Sequence, residues 1–386
     1  MNYFLTDEQK EMKGLAARIA REKIAPVAAA LDESGEFPWD VVKAMAQADL
    51  FRVFIPEEYE GLGGGVFGMA LVVEELSKAC GGIALAYAAS GLGSVPILLY
   101  GTEEQKRKYL PRLASGEILA AFALTEPDAG SDAAAIRTSA RPEGDHYVLN
   151  GTKQWITNGG EASVYTVIAR TDPSRGVRGT SAMIVEKGME GFSFGRKENK
   201  MGIRASATRE LAFQDVKVPK TGLLGREGMG FLVAMRTLEQ SRPGVAAQAV
   251  GIAQGALDKA LSYARERRQF GQPIAAFQGM QFLLADMATQ VEAARALTYA
   301  AARSIDAGDR DVAGISSMAK VFASDTAMKV TTDAVQVFGG YGYMKDYPVE
   351  KMMRDAKITQ IYEGTNQIQR EIIAQQMIKE AARGGK

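Results

Sequence analysis

Cysteine and histidine are nearly absent from this chain of 386 residues, which has one of each, Cys80 and His146. A single cysteine excludes an intrachain disulfide and a cysteine-based zinc site, and a single histidine excludes a multi-histidine metal site. His146 also stands where a turn leads into an alternating strand pattern, which favours a surface position over catalysis. We therefore predict no metal site, and any chemistry has to use carboxylates, lysines, tyrosines, backbone groups or a cofactor.

The chain also lacks an excess of charge of either sign, because 46 Lys and Arg residues balance 46 Asp and Glu residues. A balanced charge gives no electrostatic reason for binding nucleic acid or an anionic membrane, so we predict neither partner. The first 20 residues are charged and helical in pattern, and Thr6 and Gln9 have the spacing of a capping box. We predict no signal peptide there, and the cytoplasm is the default location.

One uncharged segment, residues 79–102, is long enough to cross a membrane. It contains several glycines and Pro96, and small residues outnumber strongly apolar ones. These features favour a pair of buried helices in a soluble protein over a membrane span. The same small residues would leave room for a slender ligand nearby.

The pattern of apolar residues divides the chain into three parts. Amphipathic helical stretches fill residues 1 to about 120, short β-branched runs separated by turns follow from Ala121 to Leu232, and long helical stretches then return. We predict an α+β fold in which a β module lies between two helical ones. No G-x-G-x-x-G sequence follows a predicted strand, so neither a Rossmann dinucleotide site nor a P-loop is supported.

One carboxylate, Glu363, stands between apolar residues and the start of a helix in the segment IYEGTNQIQR, residues 361–370. Gly364 frees the backbone beside the acid, and Thr365 is a candidate N-cap. Desolvation by the two residues before it would raise the pKa of Glu363, which is how a glutamate becomes a general base near neutral pH. A glutamate that complements a helix dipole is the alternative, and this segment alone favours that alternative.

Two segments of the middle part combine polar groups with a predicted strand. The loop TEPDAGSD, residues 125–132, follows a buried run and offers hydroxyls and N–H groups to a planar heterocycle or to phosphates, although any turn has a similar composition. Trp155 and Thr157 share one strand and have the groups needed to flank a ring system. For the tryptophan, a place in the core is the commoner explanation.

Two segments of the last part are also candidates. Arg265, Arg267 and Arg268 close a predicted helix, where positive charge either offsets the helix dipole or binds a diphosphate. Further on, glycines that permit close approach of a ligand, or simply break a helix, stand among aromatic residues: Gly339, Gly340 and Gly342.

Taken together, these segments resemble the acyl-CoA dehydrogenase family over essentially the whole chain. The most diagnostic stretches are ALTEPDAGSD and QVFGGYGYMKDYPVEKMMRD, and the order of the segments also agrees. The likeness is greatest to the short-chain, butyryl-CoA-type branch. It implies an N-terminal helical domain at residues 1–121, a middle β-barrel domain at 122–231 and a C-terminal four-helix bundle at 232–386, assembled as a homotetramer.

The resemblance also implies an FAD cofactor, an acyl-CoA substrate and the residues that hold them. Those expected to contact FAD are Phe122, Leu124, Thr125, Gly130, Ser131, Trp155, Ile156, Thr157, Phe270, Thr365, Asn366 and Gln367. Those expected to bind the FAD of a neighbouring subunit are Arg267, Gln278 and the backbone of Gln336, Val337, Gly339 and Gly340. Those expected near the acyl-CoA are Ser131, Glu239, Arg242 and Gly364.

In the family arrangement, Glu363 is the catalytic base. It would remove the α-proton of an acyl-CoA thioester while the β-hydrogen leaves as hydride to flavin N5, which gives a trans-2-enoyl-CoA. The N–H of Glu363 and a ribityl hydroxyl of the flavin would bind the thioester oxygen as enolate charge develops. The electrons would then pass to electron-transferring flavoprotein.

Three positions differ from the pattern of one or another branch of the family. Isovaleryl- and long-chain-type members put the base directly before an arginine, where this chain has Ser241, so Glu363 is the base in a family position. Glu239 stands where short-chain members tend to have aspartate. Glutaryl-CoA-specific members have an arginine near the position of Ile83, and its absence here argues against a dicarboxylic substrate.

Three alternatives stay open. One is an oxidase on the same fold that passes electrons to oxygen, and another is a non-catalytic acyl-CoA-binding or assembly paralogue, which the intact base and flavin segments argue against. The third is a dehydratase-like or nitroalkane-oxidising relative, although nitroalkane-oxidising members typically use aspartate as the base. Straight chains of four to eight carbons, 2-methyl-branched chains and alicyclic acyl groups all remain possible substrates.

Overall fold

Helices form the first part of the chain in a computed structural model that describes residues 3–384. The α-helices of this part are Asp7–Ile19 (α1), Ala28–Ser34 (α2), Trp39–Gln47 (α3), Gly65–Ala79 (α4), Gly81–Tyr100 (α5) and Glu103–Ala114 (α6). Capping boxes begin two of them, because Thr6 and Gln9 exchange hydrogen bonds at α1 and Thr102 and Gln105 do so at α6. The capping box predicted at Thr6 is confirmed.

The uncharged segment forms one helix, α5, and the predicted pair of helices is wrong. Its glycines allow close packing and do not end the helix. A Cβ added to Gly93 would lie 2.7 Å from the Cβ of Ala120, and one added to Gly81 would lie 2.7 Å from the Cδ1 of Ile252. By length and composition α5 could cross a membrane, but 78% of its most apolar window is buried inside the protein. The cytoplasmic location stays a prediction.

A sheet of eight strands forms the middle part. Its strands are Ala120–Ala123 (β1), Ser139–Glu143 (β2), His146–Thr157 (β3), Val164–Arg170 (β4), Thr180–Glu186 (β5), Phe192–Lys197 (β6), Thr208–Pro219 (β7) and Leu223–Leu224 (β8). They lie in the order β6-β7-β3-β2-β4-β5-β8, and β1 pairs with β4 in parallel. Long strands β3 and β7 pair antiparallel, with a register shift between Lys153 and Ile156.

The last part is again helical. Its α-helices are Gly230–Glu266 (α7), Gln278–Asp306 (α8), Ala313–Phe338 (α9), Val349–Lys357 (α10) and Asn366–Gly384 (α11). The short strands Arg268–Gln269 (β9) and Gln272–Pro273 (β10) form a hairpin between α7 and α8. Buried alanines on the facing sides of α7, α8 and α9 allow these long helices to pack closely. The predicted α+β order of helices, sheet and helices is confirmed, while the domain boundaries after residues 121 and 231 stay predictions.

Candidate active site

A cavity of about 410 Å³ brings the three parts of the chain together. Leu85 and Leu92 of α5 form part of its wall, Ser241 and Val245 of α7 form another, and Glu363 lies on the segment before α11. The sequence-predicted residues that line this cavity are Phe122, Leu124, Thr125, Gly130, Ser131, Trp155, Ile156, Thr157, Arg242, Glu363 and Gly364. Residues separated by more than two hundred positions in the chain therefore meet at one site.

Other predicted residues lie away from this cavity. Arg267, Val337, Gly339 and Gly340 line a second cavity of about 450 Å³ at the end of α9. The exposed ones are Phe270 in the β9–β10 hairpin, Gln278 at the start of α8, Gln336 on α9 and Gln367 on α11. The predicted cofactor residues of this chain therefore do not all meet at one cavity.

Glu363 combines a left-handed backbone with a partly buried carboxylate. Its φ is 53°, a conformation that costs a residue other than glycine about 1–3 kcal/mol, and the next residue, Gly364, has a φ of 91°. Ser241 donates a hydrogen bond to Oε2 of Glu363. Burial raises the pKa of Glu363 above the ordinary value of a glutamate, although Ser241 and the charges of Arg242 and Lys320 oppose this. The direction of the pKa shift agrees with the sequence prediction.

Two other groups of Glu363 are available for a ligand. Among residues 3–384, neither Oε1 nor the backbone N–H of Glu363 has a hydrogen-bond partner. A raised pKa and an unpaired carboxylate oxygen suit proton abstraction. An unpaired N–H beside that carboxylate suits an oxygen on which negative charge develops.

Trp155 reaches the cavity because the pairing of β3 with β7 is irregular. The register shift between Lys153 and Ile156 places Trp155 in a bulge with a φ of 57°, and 58% of its surface is exposed. The common interpretation of this residue as a core tryptophan is therefore wrong. Its ring is therefore exposed beside the cavity.

The groups around Trp155 fit a planar heterocycle. Thr125, Ser131 and Thr157 line the same cavity, and within the described part of the chain their hydroxyls make no hydrogen bond. A Cβ built on Gly130 would meet no atom within 4 Å, so the backbone of the loop is open to a ligand. An exposed aromatic face with unpaired hydroxyls beside it suits a flat ring system that carries polar groups at its edge.

Of the two acyl-CoA candidates on α7, only one lines the cavity. Arg242 is 3% exposed, its Nε has no hydrogen-bond partner in the structure, and burial lowers the pKa of its guanidinium. Glu239 lies one turn earlier and forms an ion pair of 2.8 Å with Arg236. The structure therefore brings Arg242 to the site and leaves Glu239 engaged elsewhere.

The chain matches three parts of one family. The N-terminal domain of acyl-CoA dehydrogenase matches residues 6–117, the middle domain matches residues 121–216 and the C-terminal domain matches residues 228–378. The chain belongs to the acyl-CoA dehydrogenase family. The resemblance predicted from the sequence is confirmed, together with the class of enzyme.

Relatives of this acyl-CoA dehydrogenase cover almost its whole length. The short-chain-specific acyl-CoA dehydrogenase of Clostridium acetobutylicum is 49% identical over 97% of this chain and 99% of its own. Butyryl-CoA dehydrogenase from Megasphaera elsdenii has a TM-score of 0.95 and 46% identity, covering 98% of this chain and 100% of that one. A chain from a structural study of the electron transferring flavoprotein of Acidaminococcus fermentans has a TM-score of 0.96 and 51% identity, covering 98% and 99%.

One structural relative bears on the cofactor. An acyl-CoA dehydrogenase from Bacillus anthracis, solved as a complex with FAD, has a TM-score of 0.92 and 38% identity. It covers 99% of this chain, and the match spans 70% of the Bacillus anthracis chain.

Sequence reasoning missed several residues of this acyl-CoA dehydrogenase that contact the Glu363 segment. The sequence singles out Ser241 only as the residue at the alternative base position and does not predict the hydrogen bond from Ser241 to Glu363. Tyr362 donates a hydrogen bond to Gln248 of α7, which also lines the cavity. Lys320 of α9 donates to the carbonyl of Gly364 at 2.8 Å. The residues four positions before and after Lys320, Ser316 and Ser324, are polar, so an apolar pattern at that spacing does not identify the lysine as buried.

The segment after Glu363 is held by its own helix start. Thr365 accepts a hydrogen bond from the N–H of Ile368 at 3.3 Å, so the predicted cap of α11 is confirmed. Asn366 is 3% exposed, and its side chain contacts Lys320, Ser324 and Asp325. Neither Thr365 nor Asn366 lines the cavity in the described chain.

Proposed function

We propose that this chain catalyses the FAD-dependent α,β-dehydrogenation of a short-chain acyl-CoA, such as butyryl-CoA, to the trans-2-enoyl-CoA, with Glu363 as the base. The observation that carries the proposal is the environment of Glu363. Its carboxylate lines a mostly apolar cavity, burial raises its pKa, and one of its oxygens has no partner among the described residues.

The chain's own residues would divide the work around the thioester. Ser241 holds Oε2 of Glu363, which leaves Oε1 to take the α-proton. The N–H of Glu363 would donate to the thioester oxygen as negative charge develops there, and one such donor is worth a factor of about 10² to 10³ in rate. Arg242, which is buried and close enough to influence Glu363, favours the ionised carboxylate before proton transfer.

FAD, when bound, supplies the acceptor for the β-hydrogen, which leaves as hydride. Trp155 would cover the flavin ring, and Thr125, Ser131 and Thr157 would offer their unpaired hydroxyls to its polar edge. The apolar walls exclude water from the reacting carbons.

The residues that lie away from the cavity support a proposed assembly. Phe270 is 93% exposed, and Arg267 lies over the ring of Tyr341 beside the second cavity. In a homotetramer these groups would bind the FAD of a neighbouring subunit, which would explain why they are separate from Glu363 in one chain. We further propose electron-transferring flavoprotein as the electron acceptor.

Anaerobic mixing with butyryl-CoA tests the role of Glu363. The wild-type flavin should lose its absorbance near 450 nm, which is the band of the oxidised isoalloxazine ring. Glu363→Gln should keep bound flavin and bind butyryl-CoA, and bleaching should slow by about 10² to 10⁴ or more. Glu371→Gln, which changes an exposed glutamate of α11, is the matched control and should bleach like the wild type.

Two results would contradict the proposal. Bleaching at the wild-type rate by Glu363→Gln would remove this residue as the base. A purified protein that holds no flavin and cannot be reconstituted with FAD would favour the non-catalytic paralogue. For the acceptor, rapid reduction of added electron-transferring flavoprotein is expected, whereas rapid formation of hydrogen peroxide in air would favour the oxidase.

A further inference from the structure

The backbone around Glu363 is a left-handed turn that two side chains hold in place. Glu363 and Gly364 are consecutive residues with φ values of 53° and 91°. The amide of Gln369 donates to the carbonyl of Glu363 at 3.1 Å and to that of Gly364 at 2.9 Å. The ammonium of Lys320 donates to the same carbonyl of Gly364 at 2.8 Å. An unfavourable backbone conformation is thus fixed from α9 and from α11 together.

Lys320 is an unusual residue for a buried helix face. It is 0% exposed, and its second hydrogen bond, at 2.9 Å, goes to the side-chain oxygen of Asn366. Within residues 3–384 no carboxylate lies within ion-pair distance of its ammonium, whereas the other fully buried lysine, Lys153, pairs with Glu126 at 2.8 Å. A buried ammonium without a paired carboxylate is costly, and a neutral side chain could join α9 to α11 without that cost.

From these contacts we infer that Lys320 is a positioning residue for the base: it fixes the Glu363–Gly364 turn so that the carboxylate and the N–H of Glu363 present to the cavity. The inference rests on the proposed function of Glu363. It assigns Lys320 no contact with substrate or flavin, because Lys320 does not line the cavity.

The charged groups around Glu363 lie on different elements, so the effect of Lys320 on the ionisation of Glu363 can be tested separately from theirs. Arg242 from α7 and Lys320 from α9 both favour its ionised form, and Tyr362 is the neighbouring titratable group on its own segment. Asp325 in turn faces Lys320 and favours its charged form. Burial lowers the pKa of Lys320 to about 7, so its charge changes within the range in which the enzyme is assayed. Below that pH the ammonium stabilises ionised Glu363, and removing it should move protonation of Glu363 to higher pH.

The test compares two variants that disturb the same turn in different ways. Lys320→Met removes the hydrogen bonds and the charge with little change in length. Gln369→Met removes the other hydrogen bonds to the turn and leaves the charges unchanged. Lys329→Met, at an exposed position on the same helix, is the matched control. For each, kcat and KM for butyryl-CoA are measured per bound flavin from pH 5.5 to 9 with an artificial acceptor, together with flavin content and Tm.

Lys320→Met and Gln369→Met should both keep their flavin. Each should lose about tenfold to a hundredfold in kcat, a larger change than in KM, because the base is misplaced. In Lys320→Met the acidic limb of the kcat/KM profile should also move to higher pH by about half a unit or more. In Gln369→Met that limb should stay in place. Lys329→Met should overlay the wild type. Because Lys320→Met replaces a buried charge with an apolar group, its Tm should hold or rise.

Several results would overturn the inference. One is a flavin-loaded Lys320→Met with the wild-type kcat and acidic limb. Another is a fall in Tm and flavin content with kcat per bound flavin unchanged, which would make Lys320 purely structural. If Lys320→Met does not fold, Lys320→Arg decides the question, because it keeps the charge. The acidic limb of its kcat/KM profile should match that of the wild type, and a shifted limb would refute the role of the Lys320 charge. Glu363→Gln separates the two proposals. Full bleaching of the flavin by that variant would end the proposed function of Glu363. An inactive Glu363→Gln together with a Lys320→Met that behaves like the wild type would refute only the positioning role of Lys320.

Discussion

Met69 should set the length of acyl chain that the cavity accepts. Its side chain lines the cavity from α4, and its Cε lies 3.5 Å from a Cβ built on Gly244 of α7. Gly244 follows Ser241 by three residues, or about 4.5 Å of helix rise, and Ser241 holds Glu363. The thioether therefore lies about one turn along α7 from the residue that holds Glu363, where it would meet the end of a short acyl chain bound beside that carboxylate.

Met69→Ala removes three heavy atoms beyond Cβ and should open that end of the cavity. If the space admits two more methylenes, each worth about 0.8 kcal/mol on burial, the longer substrate gains about 1.6 kcal/mol, or roughly 15-fold in kcat/KM. The ratio of kcat/KM for hexanoyl-CoA, which has two more methylenes, over butyryl-CoA should rise by about that factor. The measurement is a set of initial rates with straight-chain acyl-CoA thioesters of four to ten carbons.

Met287→Ala is the matched control, because Met287 is fully buried in the helical part and does not line the cavity. Both variants should lose about 2–5 kcal/mol of stability, with Met69→Ala at the low end since a cavity already adjoins it. Only Met69→Ala should change the chain-length ratio. A folded, flavin-bound Met69→Ala with an unchanged ratio would refute the placement of the wall. Gly91→Ala should act in the opposite direction, because its Cβ would lie 2.6 Å from the Cε of Met69 and push the thioether aside.

Three further predictions concern buried charges. Glu74 is 0% exposed and accepts a hydrogen bond from Arg295 at 2.9 Å. Glu74→Ala should therefore lower the free energy of unfolding, measured by urea denaturation, by about 3–5 kcal/mol. A loss below about 1 kcal/mol would contradict the importance of this pair. Burial raises the pKa of Glu363, so the free energy of unfolding of the wild type should fall as pH rises through that pKa. Glu363→Gln should therefore be more stable than the wild type at pH 8, and this gain should vanish in acid. Equal stability of the two proteins at pH 8 and in acid would refute this. Lys153→Met leaves Glu126, which belongs to the loop of residues 125–132, buried without its ion-pair partner. If that loop contacts FAD, the variant should be purified with less flavin, as measured by absorbance per chain, and full flavin occupancy would argue against that role.

The surroundings of Glu363 and the cap of α11 could be predicted from the sequence because their signals are local, whereas the role of Glu363 as a base came only from the family resemblance. The apolar residues before Glu363, the glycine after it and the N-cap of α11 all fall within one short segment, and the structure agrees with each. The alternation of helix and strand patterns likewise predicted the order of the three parts, since hydrophobic periodicity spans many residues.

Features that depend on packing between distant elements were predicted less well. The glycines of α5 looked like helix breaks, but they fit against Ala120 and Ile252, which only the folded chain brings near. Trp155 looked like a core residue because the bulge between β3 and β7 arises from their pairing and has no signal in β3 alone. The partners of Glu363 on α7 and α9 were missed for the same reason.

Several energetically unfavourable features of the chain are concentrated around Glu363 and the cavity. Trp155 and Glu363 are both non-glycine residues in the left-handed region, and each conformation costs about 1–3 kcal/mol. Arg242 and Lys320 are buried cations beside the same carboxylate, neither with a carboxylate at ion-pair distance in residues 3–384. A chain selected for stability alone would avoid this concentration of unfavourable features. This concentration is explained if Trp155 and Glu363 must face a bound flavin and acyl chain. It is also explained if the two cations must keep Glu363 ionised, and so able to accept a proton, although burial favours its protonated form.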